Sequence, residues 1–341
     1  MALIQRINHT LAPLDRYVQG VQAMRANGSY YKYVFWHSQI GGRGDPTDPA
    51  GRRNAAHRGP IFLPWHRELI WRFERDLQVA LVQPSFGLPY WNWAIDKTDG
   101  TLATSRVWTE LGSNSGPLSL SGSAWHRMSA VLSGGSYTGI DLSQRVRRDF
   151  DGFVGAFGHV SDIPGRSQTD VFMRDTSVEY DSPEWNFLSS GFRNTNERTY
   201  HDHPHVLVGG DDGDMSSPPL ACNDPIFFIH HAMIDRLWAW WQQLNLDAGV
   251  SLRDQYHPTM SEAAGIQLGH RIDETMWPWN DDQEMSRWGL PTEGITPAMV
   301  LDHRSTRLNY VYDDQEPDGC LPTGARILRE ILRSLFGGRG G

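Results

Sequence analysis

Six of the fourteen histidines in this 341-residue chain fall into two triplets, His37, His57 and His66 early on and His201, His205 and His231 further along. Each triplet could surround one metal ion with neutral imidazole alone, needing no carboxylate or thiolate, and imidazole suits copper in both of its oxidation states. Two copper ions held side by side would make oxygen chemistry the expected use.

The second triplet has the tighter pattern. In Tyr200-His201-Asp202-His203-Pro204-His205 the first and last histidines are four apart, so a helix would set both rings on one face, one turn apart. Pro204 then has to fall in that helix's first turn, where an N–H is unpaired in any case. The third ring comes from Asn223-Asp224-Pro225-Ile226-Phe227-Phe228-Ile229-His230-His231, in which an acidic N-cap and a proline at the first helical position open a run continuing through Met233, Ile234, Leu237, Trp238 and Trp241. Such a helix is core on most faces. Adjacent histidines on it diverge by about 100°, so one of His230 and His231 can bind metal while the other packs. Asp235, one turn after His231, is expected to orient a histidine of the site, with Arg236 fixing Asp235.

The first triplet is looser locally. His37 ends the aromatic run Tyr30-Tyr31-Lys32-Tyr33-Val34-Phe35-Trp36, and His57 lies in a loop leading to Phe62-Leu63-Pro64-Trp65-His66-Arg67. From Trp65 onward Leu69, Ile70, Phe73, Leu77 and Leu81 recur at helical spacing, which puts His66 near the start of an amphipathic helix, facing inward. A lone histidine on an apolar face is usually a core or surface group, and His9, His126, His159, His257, His270 and His303 are read that way.

Phe62-Leu63-Pro64-Trp65-His66-Arg67 and the run from Asn223 to Trp238 resemble the two copper signatures of the tyrosinase, catechol oxidase and haemocyanin family. Pro89-Tyr90-Trp91-Asn92-Trp93 and Tyr310-Val311-Tyr312 are similar to further recurring segments, so the likeness runs over roughly residues 30 to 313. The resemblance implies a mainly α fold, a four-helix bundle wrapped by long loops, holding a dinuclear type 3 site of two copper ions. It gives His37, His57 and His66 to one copper and His201, His205 and His231 to the other, leaving His230 as a neighbour. It further implies O2 as co-substrate, held as a peroxide bridging the metals, a small phenolic substrate, and oxidation of o-diphenols to o-quinones, with o-aminophenols and monophenols as further candidates. A haemocyanin-like oxygen carrier is the alternative reading of the same ligands. A zinc or iron hydrolase fits less well, because the chain has no HExxH and the ligand set no carboxylate.

In that family a glutamate shortly before the first histidine of the second copper holds a water near the metals, and Glu197 matches that position. Strong tyrosinases often carry asparagine directly after that histidine, where this chain has Asp202. Aspartate lacks the amide donor and adds charge, so it could act as a base itself or disturb the water. A tyrosine-like phenol loses its proton only near pH 10, so hydroxylation of monophenols is expected to trail diphenol oxidation. Many fungal, plant and molluscan members have a cysteine two residues before the second histidine of the first site; Ala55 stands here, which resembles the bacterial branch. Some bacterial relatives rely on a copper-delivering helper protein that also carries the export signal.

The elements expected to position these groups are helices over residues 10–26, 60–83, 197–209 and 224–244, taken together as the bundle. Residues 96–196, rich in Gly, Ser, Asp and Pro, read as loops and small excursions over it. The run Gly209 to Asp214 reads as an exposed turn. Because ligands from His37 to His231 must converge, residues 1–313 form one copper domain, and 314–341 a short tail with a helix from Arg326 to Phe336, too small for a shielding domain.

A net charge of −9 argues against nucleic acid and acidic membranes as partners, and the arginine clusters at Arg52-Arg53 and Arg145-Val146-Arg147-Arg148 read as solvated charge. Cys222 and Cys320 permit at most one disulfide. The N-terminus lacks an apolar signal core and no stretch approaches a membrane span, so the default expectation is a cytoplasmic chain, export with a helper remaining open.

Overall fold

Leu69, Ile70, Phe73 and Leu77 fold as their spacing predicts: in the computed structural model, which describes residues 3–40, 54–120, 123–133, 136–155, 158–181, 190–256 and 270–315, they form the buried face of α3 (Phe62–Leu81). It follows α1 (Leu14–Ala26) and α2 (Tyr31–Gln39) in the chain. Three short helices, α4 (Trp93–Thr98), α5 (Arg106–Leu111) and α6 (Arg166–Arg174), lie in the predicted excursion together with short strand pairs such as Ser115–Pro117 with Arg147–Asp149. Then come α7 (Phe192–Thr195), a π turn over Asn196–His201, α8 (Asp202–Gly209) and the long α9 (Ile226–Asp247). The architecture is mainly α.

The bundle differs from expectation in one member. The four helical stretches that carry the histidine cluster are α2, α3, α8 with its preceding π turn, and α9, whereas α1 carries none and backs α3. Its Gly20 sits so near α3 that a Cβ there would come within 2.4 Å of Leu77 Cδ1. Helix α2 escaped the sequence reading because Tyr33, Val34, Phe35, Trp36 and His37 are all buried in succession, which erases the 3.6-residue contrast that marks an amphipathic helix.

Helices α3 and α9 meet through the stacked rings of Phe73 and Phe228, whose centroids lie 3.6 Å apart. A buried charge cluster crosses the same contact. Asp235 accepts from Arg67 Nε at 2.5 Å, from Arg6 Nη1 at 3.2 Å and from the hydroxyls of Tyr310 and Tyr312 at 2.5 and 2.6 Å, while Arg6 also reaches both oxygens of Glu74. The parallel pair of strands Ile4–Arg6 and Tyr310–Tyr312 is thereby pinned to both helices. Asp235 is thus a tie between α3 and α9, and among the described residues its hydrogen bonds go to Arg67, Arg6 and the two tyrosines and to no histidine of the cluster: the guanidinium of Arg67, across on α3, claims its carboxylate. Arg236 pairs with Asp314 instead of Asp235, because successive residues of a helix point about 100° apart.

Two further expectations change. Arg148 is fully buried and grips both oxygens of Asp224 at 2.7 Å, so it is no solvated charge; Asp224 in turn accepts from the Ile226 N–H at the start of α9. In the glycine-rich turn only Asp211 and Asp212 are exposed, and Asp214 is buried on Arg127. Arg52, Arg53, His257, Cys320 and the helix expected over 326–336 lie outside the described residues. Among the described residues no helix is long and apolar enough to cross a membrane.

Candidate metal centre

Each site histidine is fixed by its local structure. His37 ends the buried face of α2, and its Nδ1–H donates to the Pro218 carbonyl at 2.7 Å. His66, in the first turns of α3, donates Nδ1–H to the Phe62 carbonyl one turn back at 2.8 Å. His57 has no helix to hold it. Asn54 does so, its side-chain oxygen accepting from the backbone N–H of Ala56 and His57 at 3.0 and 2.9 Å, an Asx turn beside the buried Ala55. The side-chain nitrogens that these three rings offer lie within 4.8 Å of one another.

The π turn ending at His201 continues without a break from α7 into α8, so Pro204, the third residue of α8, lies within a continuous helical stretch and not in a first turn as expected; the π turn just before it accommodates the missing N–H. The rings of His201 and His205 sit 4.4 Å apart, and His205 donates Nδ1–H to the Met215 carbonyl at 2.7 Å. Both histidines of α9 are near. His230 completes a group within 4.8 Å with His201 and His205, while His231 places Nε2 3.4 Å from His205 Nε2 and stacks on His66 with centroids 4.4 Å apart. The distances group His230, and not His231, with His201 and His205, but hydrogen bonding points the other way. His230 accepts at Nδ1 from the indole N–H of Trp93 (3.3 Å) and donates from Nε2 to the His201 carbonyl (3.2 Å), so both its nitrogens are engaged. By contrast His231 Nδ1 is buried without a hydrogen-bond partner.

Buried polar atoms are seldom left unpaired. Here the Nε2 atoms of His37, His66 and His201 are all buried and unpartnered, each on a ring whose other nitrogen is anchored. Anchored at one nitrogen and bare at the other is the state a metal ligand needs. Burial also keeps the rings neutral: it is the leading cause that brings His37 down to about 3 and depresses His57, His66, His201, His205 and His231 below the usual imidazole range. Phe62 and Phe227 wall the cluster, 4.8 Å from the ring of His201 and 5.0 Å from that of His37 respectively. The donor set therefore fits two metal ions.

The two acidic candidates are placed differently. Glu197 is fully buried, with Oε1 accepting the Arg58 backbone N–H at 2.8 Å and Oε2 accepting from Arg193 at 2.7 Å; burial raises its pKa, and the nearby charge of Arg193 works against that rise. Asp202 accepts from His201 Nδ1 at 2.8 Å through one oxygen and from Arg58 Nη1 at 3.1 Å through the other. Arg58, absent from the sequence-derived site, thus joins both acids, from a left-handed backbone at φ 63°. Arg193 was also overlooked, although its place four residues before Glu197 is the spacing of a helical ion pair. A cleft of about 250 Å³ opens over the cluster, with His37 and His57 of one triplet and His201 and His205 of the other on its walls beside Arg58 and Asp202.

Residues 27–244 match the model of the common central domain of tyrosinase. The chain is 32% identical over 315 residues to a tyrosinase of Streptomyces glaucescens, covering 87% of this chain and 93% of the relative, and 30% identical over 340 residues to grixazone synthase of Streptomyces griseus, covering 90% and 98%. In fold it is similar to a functional unit of octopus haemocyanin (TM-score 0.57, 20% identity, 97% of this chain and 74% of the other) and to a polyphenol oxidase of Thermothelomyces thermophila (TM-score 0.54, 18% identity, 91% and 88%). A matched central domain that spans every histidine of the cluster, with relatives aligned over most of their length, settles the ancestry of the site: the chain belongs to the tyrosinase family, oxidoreductases that oxidise phenols at a dinuclear copper centre with O2.

Proposed function

We propose that the main reaction is oxidation of o-diphenols to o-quinones, with His37, His57 and His66 holding one copper and His201, His205 and His231 the other. The observation that carries this reading is the single cleft walled by histidines of both triplets, which lets one phenolic ring reach both metals. The choice of His231 over His230 rests on hydrogen bonding, since His230 has spent both nitrogens on Trp93 and His201. When bound, the copper pair supplies the electron transfer and O2 reduction. Two diphenols then yield four electrons and four protons to one O2, giving two quinones and two waters.

The chain's residues orient the ring and handle protons. Asp202 and Glu197 both have their two oxygens engaged, Asp202 by His201 and Arg58 and Glu197 by the Arg58 N–H and Arg193. Asp202 lines the cleft and Glu197 lies buried behind it, and the phenolic proton is assigned to Glu197 on the match of its position to the family's water-holding glutamate. Burial raises the pKa of Glu197 while the charges of Arg193 and Arg58 oppose that rise; the proton of a monophenol is hard to remove near neutral pH in any case, so monophenols are the poorer substrates. Oxygen uptake by the copper-loaded protein with a catechol, an o-aminophenol and a tyrosine-like monophenol tests this. Rapid quinone formation from the catechol with slower monophenol turnover is expected. Reversible O2 binding without turnover would replace the enzyme reading with a carrier.

A further inference from the structure

His37, His66 and His205 all give their Nδ1–H to backbone carbonyls, those of Pro218, Phe62 and Met215. His201 alone among these anchored rings gives it to a carboxylate, Asp202 Oδ1 at 2.8 Å. The two acceptors differ chemically. A carbonyl fixes the tautomer and little more, whereas a carboxylate draws the proton toward itself and leaves the far nitrogen richer in electrons, a better donor to a more highly charged metal. The other oxygen of Asp202 accepts from Arg58 Nη1 at 3.1 Å, and Arg58 directly follows His57. A strap of one arginine and one aspartate therefore runs across the cleft mouth from the loop of the first triplet to a ring of the second, and the guanidinium competes with the imidazole for the aspartate's charge.

We propose that Asp202 makes the two copper positions unequal, strengthening the position that holds His201 as a Cu(II) site relative to its partner, with Arg58 setting how far. Asp202 is on this account a positioning and tuning residue acting through His201. The inference rests on the ligand set proposed above. It needs no base role for Asp202, and it predicts opposite effects from the two ends of the strap.

The test is equilibrium competition for Cu(II), and separately for Cu(I), between a chelator and the full-length protein, comparing the unaltered chain with Asp202→Ala, Asp202→Asn and Arg58→Gln. Two coppers per chain are expected in the unaltered protein, with unequal Cu(II) affinities. Asp202→Ala should weaken one Cu(II) position by about 10–100-fold, the usual cost of losing such a hydrogen-bond partner, and leave the other unchanged. Cu(I) affinity should fall less at the affected position, each tenfold difference between the two states raising the one-electron potential by about 59 mV. Asp202→Asn keeps an oxygen acceptor and should fall between. Arg58→Gln should tighten the same Cu(II) position, a sign that a merely structural role would not produce. Equal Cu(II) and Cu(I) losses in Asp202→Ala, or weakening in Arg58→Gln, would overturn the inference while leaving the ligand set standing. Fewer than two coppers in the unaltered protein would overturn the ligand set and this inference with it.

Discussion

The Nε2 atoms of His205 and His231 face each other at 3.4 Å, from α8 and α9. His205 has placed its ring hydrogen on Nδ1, toward the Met215 carbonyl, so its Nε2 presents a lone pair to its neighbour. His231 Nδ1 is buried without a partner, so His231 can donate its ring hydrogen from Nε2 to that lone pair, and a metal ion taken up there would replace this contact. His230, one residue earlier, shows no such vacancy, being satisfied by Trp93 and the His201 carbonyl.

His231→Ala is accordingly expected to reduce copper from about two per chain to about one, whereas His230→Gln should retain both and lose only about 1–3 kcal/mol of stability through its hydrogen bonds. Metal analysis of the purified variants decides the matter. A His230→Gln protein with one copper and a His231→Ala protein with two would reverse the assignment.

The metal-free protein should be acid-sensitive. Burial first, and the charge of Arg67 second, bring His303 down to about 3, and burial does the same for His37. An unfolded histidine takes up a proton near pH 6.5, long before these folded ones do, so the unfolded state binds more protons as the pH falls. Stability from these groups is therefore full above about pH 6.5 and drains away between there and about pH 3, at about 1.4 kcal/mol per pH unit for each group. Denaturant titrations of the copper-free chain at pH 7, 6 and 5 would show it, and His303→Gln should flatten the slope. Equal stability at all three values would mean that these rings are not held neutral by the fold.

Asp235 divides two accounts of α9. As a tie to Arg67, Arg6 and two tyrosines it should cost about 3–5 kcal/mol when replaced by alanine, because Arg67 would be left buried without its carboxylate. Copper affinity in the surviving folded protein should change less than threefold. If copper binding collapsed with stability unchanged, Asp235 would be acting on a histidine after all.

Much of this was legible in the sequence where a residue's neighbours along the helix are also its partners. The four-residue step from His201 to His205 and the inward face of α3 follow from helical geometry and appear as expected. What escaped was set by contacts distant in sequence. Asp235 finds Arg67 168 residues away, Arg148 finds Asp224 76 residues away, and the Pro218 and Met215 carbonyls that anchor His37 and His205 lie in a segment without periodicity. The choice between His230 and His231 is of the same kind, since it depends on Trp93, brought from α4.

Glu197 gives the most discriminating kinetic test. Its carboxylate is buried between the Arg58 backbone and Arg193, and Arg193 is held in addition by Asp181 at 2.6 and 2.8 Å, so Glu197→Gln leaves the arginine partnered and the backbone acceptor in place. The change therefore removes a base more than it removes a support. A monophenol must surrender a proton with an ordinary pKa of about 10 before it can be hydroxylated, while a catechol parts with its first proton more readily and can bridge two metals. Monophenol turnover is expected to fall by about 100-fold or more, within the range that general-base catalysis contributes, and catechol turnover by less than about tenfold. Copper content measured alongside should stay at two per chain. Parallel losses on both substrates at full copper loading would mean that Glu197 holds Arg58 and the cleft wall in place and takes no proton from the phenol.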